Sequence, residues 1–553
     1  MLGLPSKPSS GFRLITSSVI ITNTRTSPPA MATSTKRKAA GVPALTQSET
    51  ARLVETIKDW TIARGLSVRP PPSVVAANAD PAGILATSVP VTLFPSPFPA
   101  NCFEQAHDAQ KPYNELYAKI SQDEDFIRQM VEEVAGGDDF IAKLWETHCK
   151  VKEEGYSQQL SLGLFRSDYM VHQDLTDPNA VPQVRQVEFN TIASSFGGLS
   201  AQTSLLHQHL AFTEYPLLQD SRAAGSLNLP DNRSTRGLAA GIRAAFTAYG
   251  DSDLGHDRCV IFLTQDGERN VFDQRHLEYE VQRGSNSGDA VIPVFRLPFS
   301  QILKHTSIAD GSKRQLLYRL PSNPARVFEV AVVYMRSGYG PGDYPDEEAW
   351  QGRLQLERSN AIKCPTVLTQ LAGMKKVQQV LATPPSSPSP FKLGRFVPEK
   401  TPAWESLWGT FANIYPMDES EAGLEGRRLA LDPELCIKHV LKPQREGGGN
   451  NHYKAAIPAF LASLPDKSHW NSYILMELIT PPPVGNVILR NGEIEQGGVI
   501  CELGVFGTCL WNNATGAMLR NEQEGYLLRT KGDQSEEGGV AAGFGCMDSV
   551  ALV

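Results

Sequence analysis

The chain has 553 residues, of which 20% are charged and 41% hydrophobic, and its formal net charge is −8. These values are ordinary for a globular enzyme of two or three lobes and give no reason to expect nucleic acid or an anionic membrane as a partner. No apolar run approaches the roughly 18 residues of a membrane-spanning helix. The eight cysteines include no Cys-x-x-Cys pair, which argues against structural zinc and favours reduced thiols in a cytosol-like compartment.

The first 46 residues differ in composition from the rest of the chain. Residues 1–48 contain six lysines and arginines and no acidic residue, and their apolar residues follow no clear period. Such a segment is typical of disorder or of an organelle transit peptide, and a start at Met31 is a third interpretation. We therefore expect a cytoplasmic protein, with an organellar (mitochondrial) form through residues 1–46 left open.

The predicted elements change from helices to alternating strands and helices along the chain. A helical region is predicted over about 47–160, and Glu124–Val134 is its clearest member because its apolar residues recur at helical spacing. Buried strands are predicted at 184–189, 259–263, 290–295 and 327–335. This alternation predicts an α/β fold, and the Pro/Ser-rich stretch 383–390 predicts a surface insertion.

The segment 187–190, Val-Glu-Phe-Asn, alternates apolar and polar residues. On a strand, Glu188 and Asn190 project from one face, which suits Mg²⁺ because that ion prefers one or two carboxylates with phosphate oxygens and waters. A half-exposed strand without a ligand gives the same pattern. The following turn, with Ser194 and Ser195, offers N–H and hydroxyl groups to a carboxylate. Arg166 is a further candidate anion ligand or a surface ion-pair partner.

Polar side chains follow two of the predicted strands. Glu268, Asn270 and Gln274 lie just after the second strand, and Arg336 and Tyr339 lie directly after the fourth. Ligands usually bind at the strand ends of an open α/β sheet, and a carboxylate with two amides suits the ammonium and carboxylate of an amino acid. Helix caps and solvated turns explain the same residues equally well.

The most informative stretch is 436–453, where a short apolar run ends at Lys442 and a loop with Glu446 leads into three glycines and a predicted helix. Successive glycine N–H groups can converge on a phosphate, the lysine supplies positive charge, and the carboxylate can hold the Mg²⁺ that accompanies ATP. The lysine precedes the glycines, so this is not the loop of P-loop NTPases. A flexible Gly-Gly-Gly linker is the alternative interpretation.

Two segments nearer the C-terminus could complete such a site. Tyr473–Glu477 is a predicted hydrophobic strand, either a core strand or one whose backbone hydrogen-bonds adenine. Arg529 and Lys531 supply fixed cations. The small residues at 538–543 suit either a mobile lid or a C-terminal loop without a function.

Taken in order, these segments resemble the eukaryotic-type glutathione synthetases, which are ATP-grasp ligases. The resemblance runs from about residue 48 to the end and rests on several long motifs in one order. The motifs are FRSDYM (165–170), EFNTIASSFGGL (188–199), ERNVFDQR (268–275), QLAGMKKVQQ (370–379), LKPQREGGGNN (441–451), LLRTK (527–531) and GGVAAG (538–543).

The resemblance implies a circularly permuted ATP-grasp fold with N-terminal helices and a small inserted parallel-sheet α/β domain. It also implies homodimers, two Mg²⁺ per active site, and ATP-dependent joining of γ-glutamylcysteine to glycine through an acyl phosphate, which yields glutathione, ADP and phosphate. The implied units are a disordered or targeting extension (1–46), N-terminal helices with the first ATP-grasp part (47–257), a substrate-binding α/β domain (258–363) and an ATP-grasp part with glycine-rich lid loops (364–553).

The resemblance further implies roles for individual residues. The implied catalytic residues are Arg166, Lys375, Lys442 and Arg529. The implied metal ligands are Glu188, Asn190 and Glu446. The implied ATP contacts are Glu188, Lys375, Lys442, Pro443, Gln444, Arg445, Glu446, Gly447, Gly448, Gly449, Asn450, Asn451, Tyr453, Met476, Glu477, Leu478, Ile479, Glu502, Lys531 and Glu537. The implied substrate contacts are Arg166, Ile192, Ala193, Ser194, Ser195, Glu268, Asn270, Gln274, Arg336, Tyr339, Arg529, Val540 and Ala541.

The chain departs from the family pattern at a few positions. Ala193 stands where relatives commonly have serine, so no hydroxyl contact is implied there, and Leu478 replaces a frequent lysine, which leaves a backbone role. The stretch 383–398 has no clear counterpart and is expected to lie outside the site. Two alternative functions remain: an ATP-grasp ligase that uses another amine, such as β-alanine or serine, and a non-catalytic nucleotide-binding or scaffold protein.

Overall fold

The computed structural model describes residues 45–553 except 73, 77, 175, 176, 178, 214–226, 287, 536–539 and 541–544. The α-helices are α1 (Gln47–Ala63), α2 (Ala100–Gln122), α3 (Glu124–Val134), α4 (Asp139–Glu154), α5 (Gly197–Phe212), α6 (Ser234–Tyr249), α7 (Val271–Arg283), α8 (Ile302–His305), α9 (Glu347–Arg358), α10 (Val367–Ala372), α11 (Lys375–Leu381), α12 (Pro402–Trp408), α13 (Glu421–Leu431) and α14 (Ala456–Ser463). The strands are β1 (Ser67–Val68), β2 (Thr87–Ser88), β3 (Val91–Thr92), β4 (Ser96–Phe98), β5 (Leu160–His172), β6 (Gln183–Asn190), β7 (Asp257–Thr264), β8 (Val294–Pro298), β9 (Thr306–Ile308), β10 (Leu316–Arg319), β11 (Val327–Met335), β12 (Ile362–Cys364), β13 (Ile414–Pro416), β14 (His439–Pro443), β15 (His452–Tyr453), β16 (Tyr473–Glu477), β17 (Val484–Arg490), β18 (Glu493–Asn512), β19 (Met518–Gly532), β20 (Cys546–Asp548) and β21 (Val550–Leu552).

The predicted helical region is confirmed as helices α1 to α4, although the short strands β1 to β4 interrupt it. Helix α3 has the predicted bounds because Asp123 caps its first turn, accepting a hydrogen bond from Phe126 N at 3.0 Å. Tyr117 of α2 stacks on Phe189 of β6 with ring centroids 3.8 Å apart, which anchors the helices on the largest sheet. None of the helices in the described part of the chain combines the length and hydrophobicity that crossing a bilayer requires.

The largest sheet has seven strands in the order β17-β3-β20-β19-β18-β5-β6. Strand β18 is 20 residues long, so its first part pairs with β17 while its second part pairs with β5. Antiparallel pairing of β5 with β6 places Arg166 opposite Asn190 and Asp168 opposite Glu188. The side chains of Arg166 and Asp168 on β5 are therefore neighbours of those of Glu188 and Asn190 on β6, on one face of the sheet.

A second sheet, of six strands, has the order β8-β7-β11-β10-β9, with β12 beside β11. Strands β7, β8, β11 and β12 are parallel to one another, as predicted for the inserted domain. At one edge of this sheet β10 is antiparallel to β9 and to β11, because each connection is too short for a crossover. The strand predicted at 290–295 begins only at Val294, since Pro293 has no N–H for a strand ladder.

A third sheet is antiparallel with the order β13-β16-β14-β15. The predicted strand Tyr473–Glu477 is confirmed as β16, and the predicted helix after the glycines is α14. The glycine-rich loop connects β14 to β15. The described residues from 45 onward form one compact unit, so the boundaries predicted at 258 and 363 stay predictions. The mixed α/β architecture predicted from the alternation is confirmed, whereas circular permutation stays a prediction.

Candidate active site

A cavity of about 630 Å³ lies between the seven-stranded and the four-stranded sheets. Its wall comes from β5, β6, α11, β14, β16, β18 and β19 and from the turns that follow β6 and β14. The predicted site residues on this wall are Arg166, Glu188, Asn190, Ile192, Ala193, Ser194, Ser195, Tyr339, Lys375, Lys442, Arg445, Glu446, Gly447, Gly448, Asn450, Asn451, Tyr453, Met476, Glu477, Leu478, Ile479, Glu502, Arg529, Lys531 and Val540.

Lys375 joins the two carboxylates that the sequence assigns to metal binding. Its ammonium lies 3.0 Å from Glu188 Oε2 and 2.9 Å from Glu446 Oε1. Burial works against the charge of Lys375, but the two carboxylates outweigh it and raise its pKa above the usual range. Burial likewise opposes ionisation of Glu188, yet Lys375, Lys442 and Arg529 together lower the pKa of that carboxyl. Burial raises the pKa of Glu446 to about 7, against the opposing effect of Lys375.

Lys442 brings β14 against β6. Its ammonium donates a 2.9 Å hydrogen bond to the Val187 carbonyl, and burial lowers its pKa although Glu188 partly opposes that effect. On the neighbouring strands, Arg529 of β19 pairs with Glu502 of β18, directly across the ladder. Burial raises the pKa of Glu502, and Arg529 moderates the rise. The cavity thus combines two buried lysines with a half-buried arginine–glutamate pair.

The glycine-rich loop requires its glycines. Gly447, Gly448 and Gly449 have φ values of 96°, 70° and 77°, a left-handed region that other residues adopt at a cost. A Cβ at Gly447 would also lie 3.3 Å from the ring of Tyr339. Asn450 donates to the carbonyls of Glu446 and Gly448 at 3.3 and 3.0 Å, so the loop is held as a defined turn. This geometry favours the phosphate cradle over the flexible linker.

The end of β16 forms the far side of the cavity, where adenine contacts are predicted. The Leu478 amide donates to the Lys438 carbonyl at 2.8 Å, and the Glu477 amide donates to the Asn413 carbonyl at 2.9 Å. Glu477 also accepts a 2.6 Å hydrogen bond from the Asn413 side chain. An adenine contact at Leu478 would therefore use its carbonyl, since its amide already has a protein partner.

Four predicted substrate residues lie behind the described wall of the cavity rather than on it: Glu268, Asn270, Gln274 and Arg336. Glu268 accepts from the Asn270 amide at 2.7 Å and from the Gln274 side chain. Arg336 donates to Ser195 Oγ at 2.7 Å, which connects this group to the wall. In the described part of the chain, Asn270 Oδ1 and Arg336 Nε are buried without a hydrogen-bond partner, as expected for groups that face a ligand.

Other predicted residues do not contribute to the described wall. Gln444 is buried, and its side chain accepts from the Lys376 amide at 2.9 Å and donates to the Ser472 carbonyl at 3.0 Å, so it fastens α11 to the loop before β16. Pro443 pairs with Tyr473 in the sheet, and Gly449 is exposed. Glu537 and Ala541 lie outside the described residues. The insertion 383–398 lies apart from the cavity wall, as predicted.

Two buried carboxylates were not predicted. Asp168 contacts Arg166, Arg529 and Asn190. Asp273 accepts from the amides of Phe196, Gly198 and Leu199 at 2.8, 2.8 and 3.2 Å and pairs with Arg336 at 3.1 Å. Asp168 could have been found from strand spacing, because it lies two residues after Arg166 and so on the same face of the strand. Asp273 could have been found from its place in the first turn of α7. Ala193 and Phe196 adopt φ of 52° and 72°, so the turn after β6 is tightly constrained.

The residues present fit Mg²⁺. Two carboxylates, both within 3.0 Å of one ammonium, and the amide of Asn190 form a small set of hard oxygen donors. Among the described residues no group of three or more His, Cys, Asp or Glu side chains could hold a metal on its own. This suits Mg²⁺, which keeps waters and substrate phosphates in its shell, better than a metal held entirely by protein ligands.

Comparisons with known proteins identify the family of the chain. A family model described as the eukaryotic glutathione synthase, ATP binding domain, matches residues 47–552. The glutathione synthetase large chain of Schizosaccharomyces pombe is 40% identical over 486 residues, which cover 85% of this chain and 92% of that protein. The glutathione synthetase of Homo sapiens is 38% identical over 461 residues, covering 83% of this chain and 89% of that protein. The chloroplastic glutathione synthetase of Solanum lycopersicum is 35% identical over 476 residues, covering 85% and 79%.

A solved structure is similar in fold. It is a glutathione synthetase-like effector from Globodera pallida, with a TM-score of 0.67, 20% identity, and coverage of 92% of this chain and 98% of that one. The fold and the family match are those of an ATP-grasp ligase, the class of enzyme predicted from the sequence. The chain belongs to the eukaryotic glutathione synthase family. The predicted family, fold class and enzyme class are therefore confirmed.

Proposed function

We propose that the cavity joins γ-glutamylcysteine to glycine with ATP, giving glutathione, ADP and phosphate. One observation carries the proposal: a single cavity combines a glycine-rich loop, Lys375, Lys442, Glu188 and Glu446 with Arg166, Arg529 and a serine turn. The first set suits a polyphosphate with its metal, and the second suits substrate carboxylates. Transfer of a phosphoryl group to a carboxylate requires both to be bound side by side.

ATP is proposed to lie between β14, β16 and the glycine-rich loop. The left-handed glycines turn backbone N–H groups toward the phosphates, Lys375 and Lys442 supply positive charge, and the chain at 476–479 borders the adenine. Glu188, Asn190 and Glu446 would hold Mg²⁺, two ions by family resemblance. Bound there, Mg²⁺ would neutralise phosphate charge during the transfer.

The dipeptide is proposed to bind at the opposite end of the cavity. Arg166 and Arg529 suit its cysteinyl carboxylate, and Ser194 and Ser195 provide hydroxyl and N–H groups beside them. The γ-glutamyl end is assigned to the group behind Ser195. The buried Asn270 Oδ1 and Arg336 Nε, which have no hydrogen-bond partner among the described residues, support this assignment.

The proposed chemistry has two steps. A carboxylate is a poor electrophile, so the cysteinyl carboxylate first takes the γ-phosphoryl group of ATP, forming an acyl phosphate and ADP. Lys375, Lys442 and Arg529 stabilise the charge on the phosphoryl group in transfer. The glycine amine then attacks the carbonyl carbon, the C–N bond forms, the bond to phosphate oxygen breaks, and the amine loses a proton. Water must be kept out meanwhile, a role proposed for the loops 447–449 and 538–543.

Organisation beyond the site is proposed on family resemblance. The proposal comprises a circularly permuted ATP-grasp fold, the unit boundaries at 46, 257 and 363, and a homodimer. It also comprises a cytoplasmic location. A relative from Solanum lycopersicum is named chloroplastic, and an organellar form of this chain through residues 1–46 stays part of the proposal.

The proposal is tested with purified protein, ATP, Mg²⁺ and γ-glutamylcysteine, to which glycine, β-alanine or serine is added. Phosphate release and the tripeptide product, identified by mass spectrometry, are measured in the same reaction. We expect glycine to be preferred and one phosphate to be released for each glutathione formed. A preference for β-alanine or serine would identify a related ligase. Absence of phosphate release with every amine would favour a non-catalytic binding protein.

A further inference from the structure

Asp168 is a fully buried carboxylate that contacts the two arginines of the proposed dipeptide site. Its Oδ1 accepts a 2.6 Å hydrogen bond from Arg166 Nε, and its Oδ2 accepts one of 2.8 Å from Arg166 Nη2. The same Oδ2 accepts a 3.0 Å hydrogen bond from Arg529 Nη2. One carboxylate thus holds two arginines that would otherwise repel each other in a medium of low polarity.

Asp168 also reaches the proposed metal site. Asn190 Nδ2 donates to Asp168 Oδ2 at 3.0 Å and to the Arg166 carbonyl at 3.3 Å. Both contacts require the amino group of the amide to point at β5, which leaves the amide oxygen of Asn190 directed away from Asp168. An amide can bind Mg²⁺ only through its oxygen. The contact with Asp168 therefore selects the orientation of Asn190 that metal binding needs.

The sheet leaves room for this carboxylate. Gly504 of β18 lies directly opposite Asp168 in the ladder. A Cβ on Gly504 would lie 2.7 Å from Asp168 Oδ1 and 2.7 Å from Arg166 Cδ, closer than packed atoms approach. The Asp168–Arg166 pair thus requires that position 504 have no side chain. A substitution of Gly504 would displace the pair without removing a charge.

We propose that Asp168 is a positioning residue that fixes Arg166, Arg529 and Asn190 in their binding orientations, and so couples dipeptide binding to metal binding. The inference rests on the proposed function, because it takes Arg166 and Arg529 as dipeptide contacts. Among the described residues, Asp168 is the carboxylate that pairs with Arg166, whereas Arg529 also pairs with Glu502. Loss of Asp168 is therefore expected to disturb the orientation of Arg166 more than that of Arg529.

The test compares Asp168→Asn and Gly504→Ala with a matched control. Asp168→Asn keeps the shape but turns an amino group toward donors of Arg166, Asn190 or Arg529. Gly504→Ala keeps every charge and displaces the pair. The control is Glu524→Gln, which breaks another largely buried arginine–carboxylate pair on the same sheet, with Arg520, outside the cavity wall.

Two binding measurements separate positioning from folding. Calorimetric titration of the metal-free proteins with γ-glutamylcysteine reports the arginines, and Mn²⁺ binding in the presence of ADP, followed by electron paramagnetic resonance, reports Asn190. For Asp168→Asn we expect both affinities to fall by about 10–100-fold, the usual effect of losing a residue that orients a ligand group. The KM for γ-glutamylcysteine should rise more than the KM for ATP. Gly504→Ala should shift both affinities in the same direction, and Glu524→Gln should shift neither.

The outcomes are distinct. If Asp168→Asn lowers the melting temperature but binds the dipeptide and Mn²⁺ as the wild type does, Asp168 has only a structural role and the inference is overturned. If Asp168→Asn does not fold, Gly504→Ala decides by the same two affinities. If the wild type itself neither binds γ-glutamylcysteine nor forms glutathione, the proposed function fails, and that result is separate from failure of a variant alone.

Discussion

Lys375 shows how the charges of the cavity depend on one another. It is 3% exposed, and a buried ammonium needs partners, which Glu188 and Glu446 supply. With both carboxylates ionised this trio has one excess negative charge, so it can accept a further cation. Burial raises the pKa of Glu446 to about 7, and Glu188, the second carboxylate crowded against Lys375, adds to the rise. A divalent ion with bound phosphates would relieve that crowding.

The residue-scale prediction concerns Glu446→Gln. Glutamine keeps the shape of the side chain but removes the charge that a hard cation needs, so we expect kcat to fall by at least about 100-fold, as when one strong electrostatic stabiliser is lost. The rates are measured at saturating and at limiting Mg²⁺. The matched control is Glu133→Gln, which breaks the neighbouring ion pair with Lys376, 2.8 Å long and outside the cavity wall. Near-normal turnover of Glu446→Gln at limiting Mg²⁺ would remove Glu446 from the metal shell.

Individual residues could be predicted from the sequence to different degrees. Glu188 and Asn190 followed from strand alternation, Arg166 and Arg529 were candidates from their charge, and the family motifs supplied Lys375. Asp168 was not predicted because a carboxylate two residues after an arginine is equally typical of an ion pair on the surface. Its importance depends on the pairing of β5 with β6 and β18, which no local pattern specifies.

At the scale of elements, local sequence signals predict where a helix or strand begins and ends, whereas tertiary contacts decide which strands pair with each other. Helix α3 and strands β11 and β16 have the predicted limits, because continuous apolar spacing ends there at caps or turns. The order of the seven-stranded sheet could not be predicted, since β3 pairs with β17 and β20, which lie roughly 400 residues further along the chain. Asp548 fastens this junction by accepting from the side chains of Thr92, Ser96 and Thr530 at 2.7, 2.6 and 2.7 Å.

The element-scale prediction is a pH dependence at this junction. Burial raises the pKa of Asp548 to about 6, against the opposing effect of its hydroxyl donors. An unfolded aspartate has a pKa of about 3.9, so the folded state binds more protons between these values. The stability that protonated Asp548 contributes is therefore present below about pH 4 and is lost as the pH rises through about 6.

Asp548→Asn removes this titration while an amide can still meet the same hydroxyls. We expect the free energy of unfolding of the wild type, relative to Asp548→Asn, to fall by about 2 kcal/mol from pH 4 to pH 7, since each unit of pKa shift corresponds to about 1.4 kcal/mol and the unfolded aspartate is already partly ionised at pH 4. Denaturant titrations at several pH values measure the difference, in which other titrating groups cancel. Asp548→Ala should be less stable at every pH because its donors lose their acceptor. A difference that stays constant or grows with pH would contradict the assignment.

At the scale of the whole molecule, the site depends on contacts between distant parts of the chain. The cavity combines residues near 166–195, 375, 440–479 and 500–540, so no contiguous segment contains it. The last strands pair with β3 and β4 near the start of the described chain, as in the hydrogen bond between Thr92 and Asp548. The family resemblance predicted residues of the site but not this pairing of the last strands with β3 and β4.

The whole-molecule prediction concerns the start of the folded unit. The family match begins at residue 47, and helix α1 begins there with a capping box in which Thr46 Oγ1 accepts from the Glu49 amide and Glu49 accepts from the Thr46 amide at 2.7 Å. A protein that starts at residue 45 keeps this cap, whereas one that starts at residue 47 loses it. Because residues 1–44 lack acids and a clear apolar period, we expect the longer truncated form to keep the activity and melting temperature of the full chain.

Loss of the cap should cost about 1 kcal/mol, and its effect should be local. In the form that starts at residue 47 we therefore expect amide hydrogens in the first turns of α1 to exchange about 5-fold faster than in the form that starts at residue 45, with glutathione synthesis unchanged. Hydrogen-exchange mass spectrometry of both truncated forms and the full chain measures this. If the form that starts at residue 45 is already less active or exchanges faster throughout α1, residues 1–44 contribute to the folded unit, and the start proposed here is wrong.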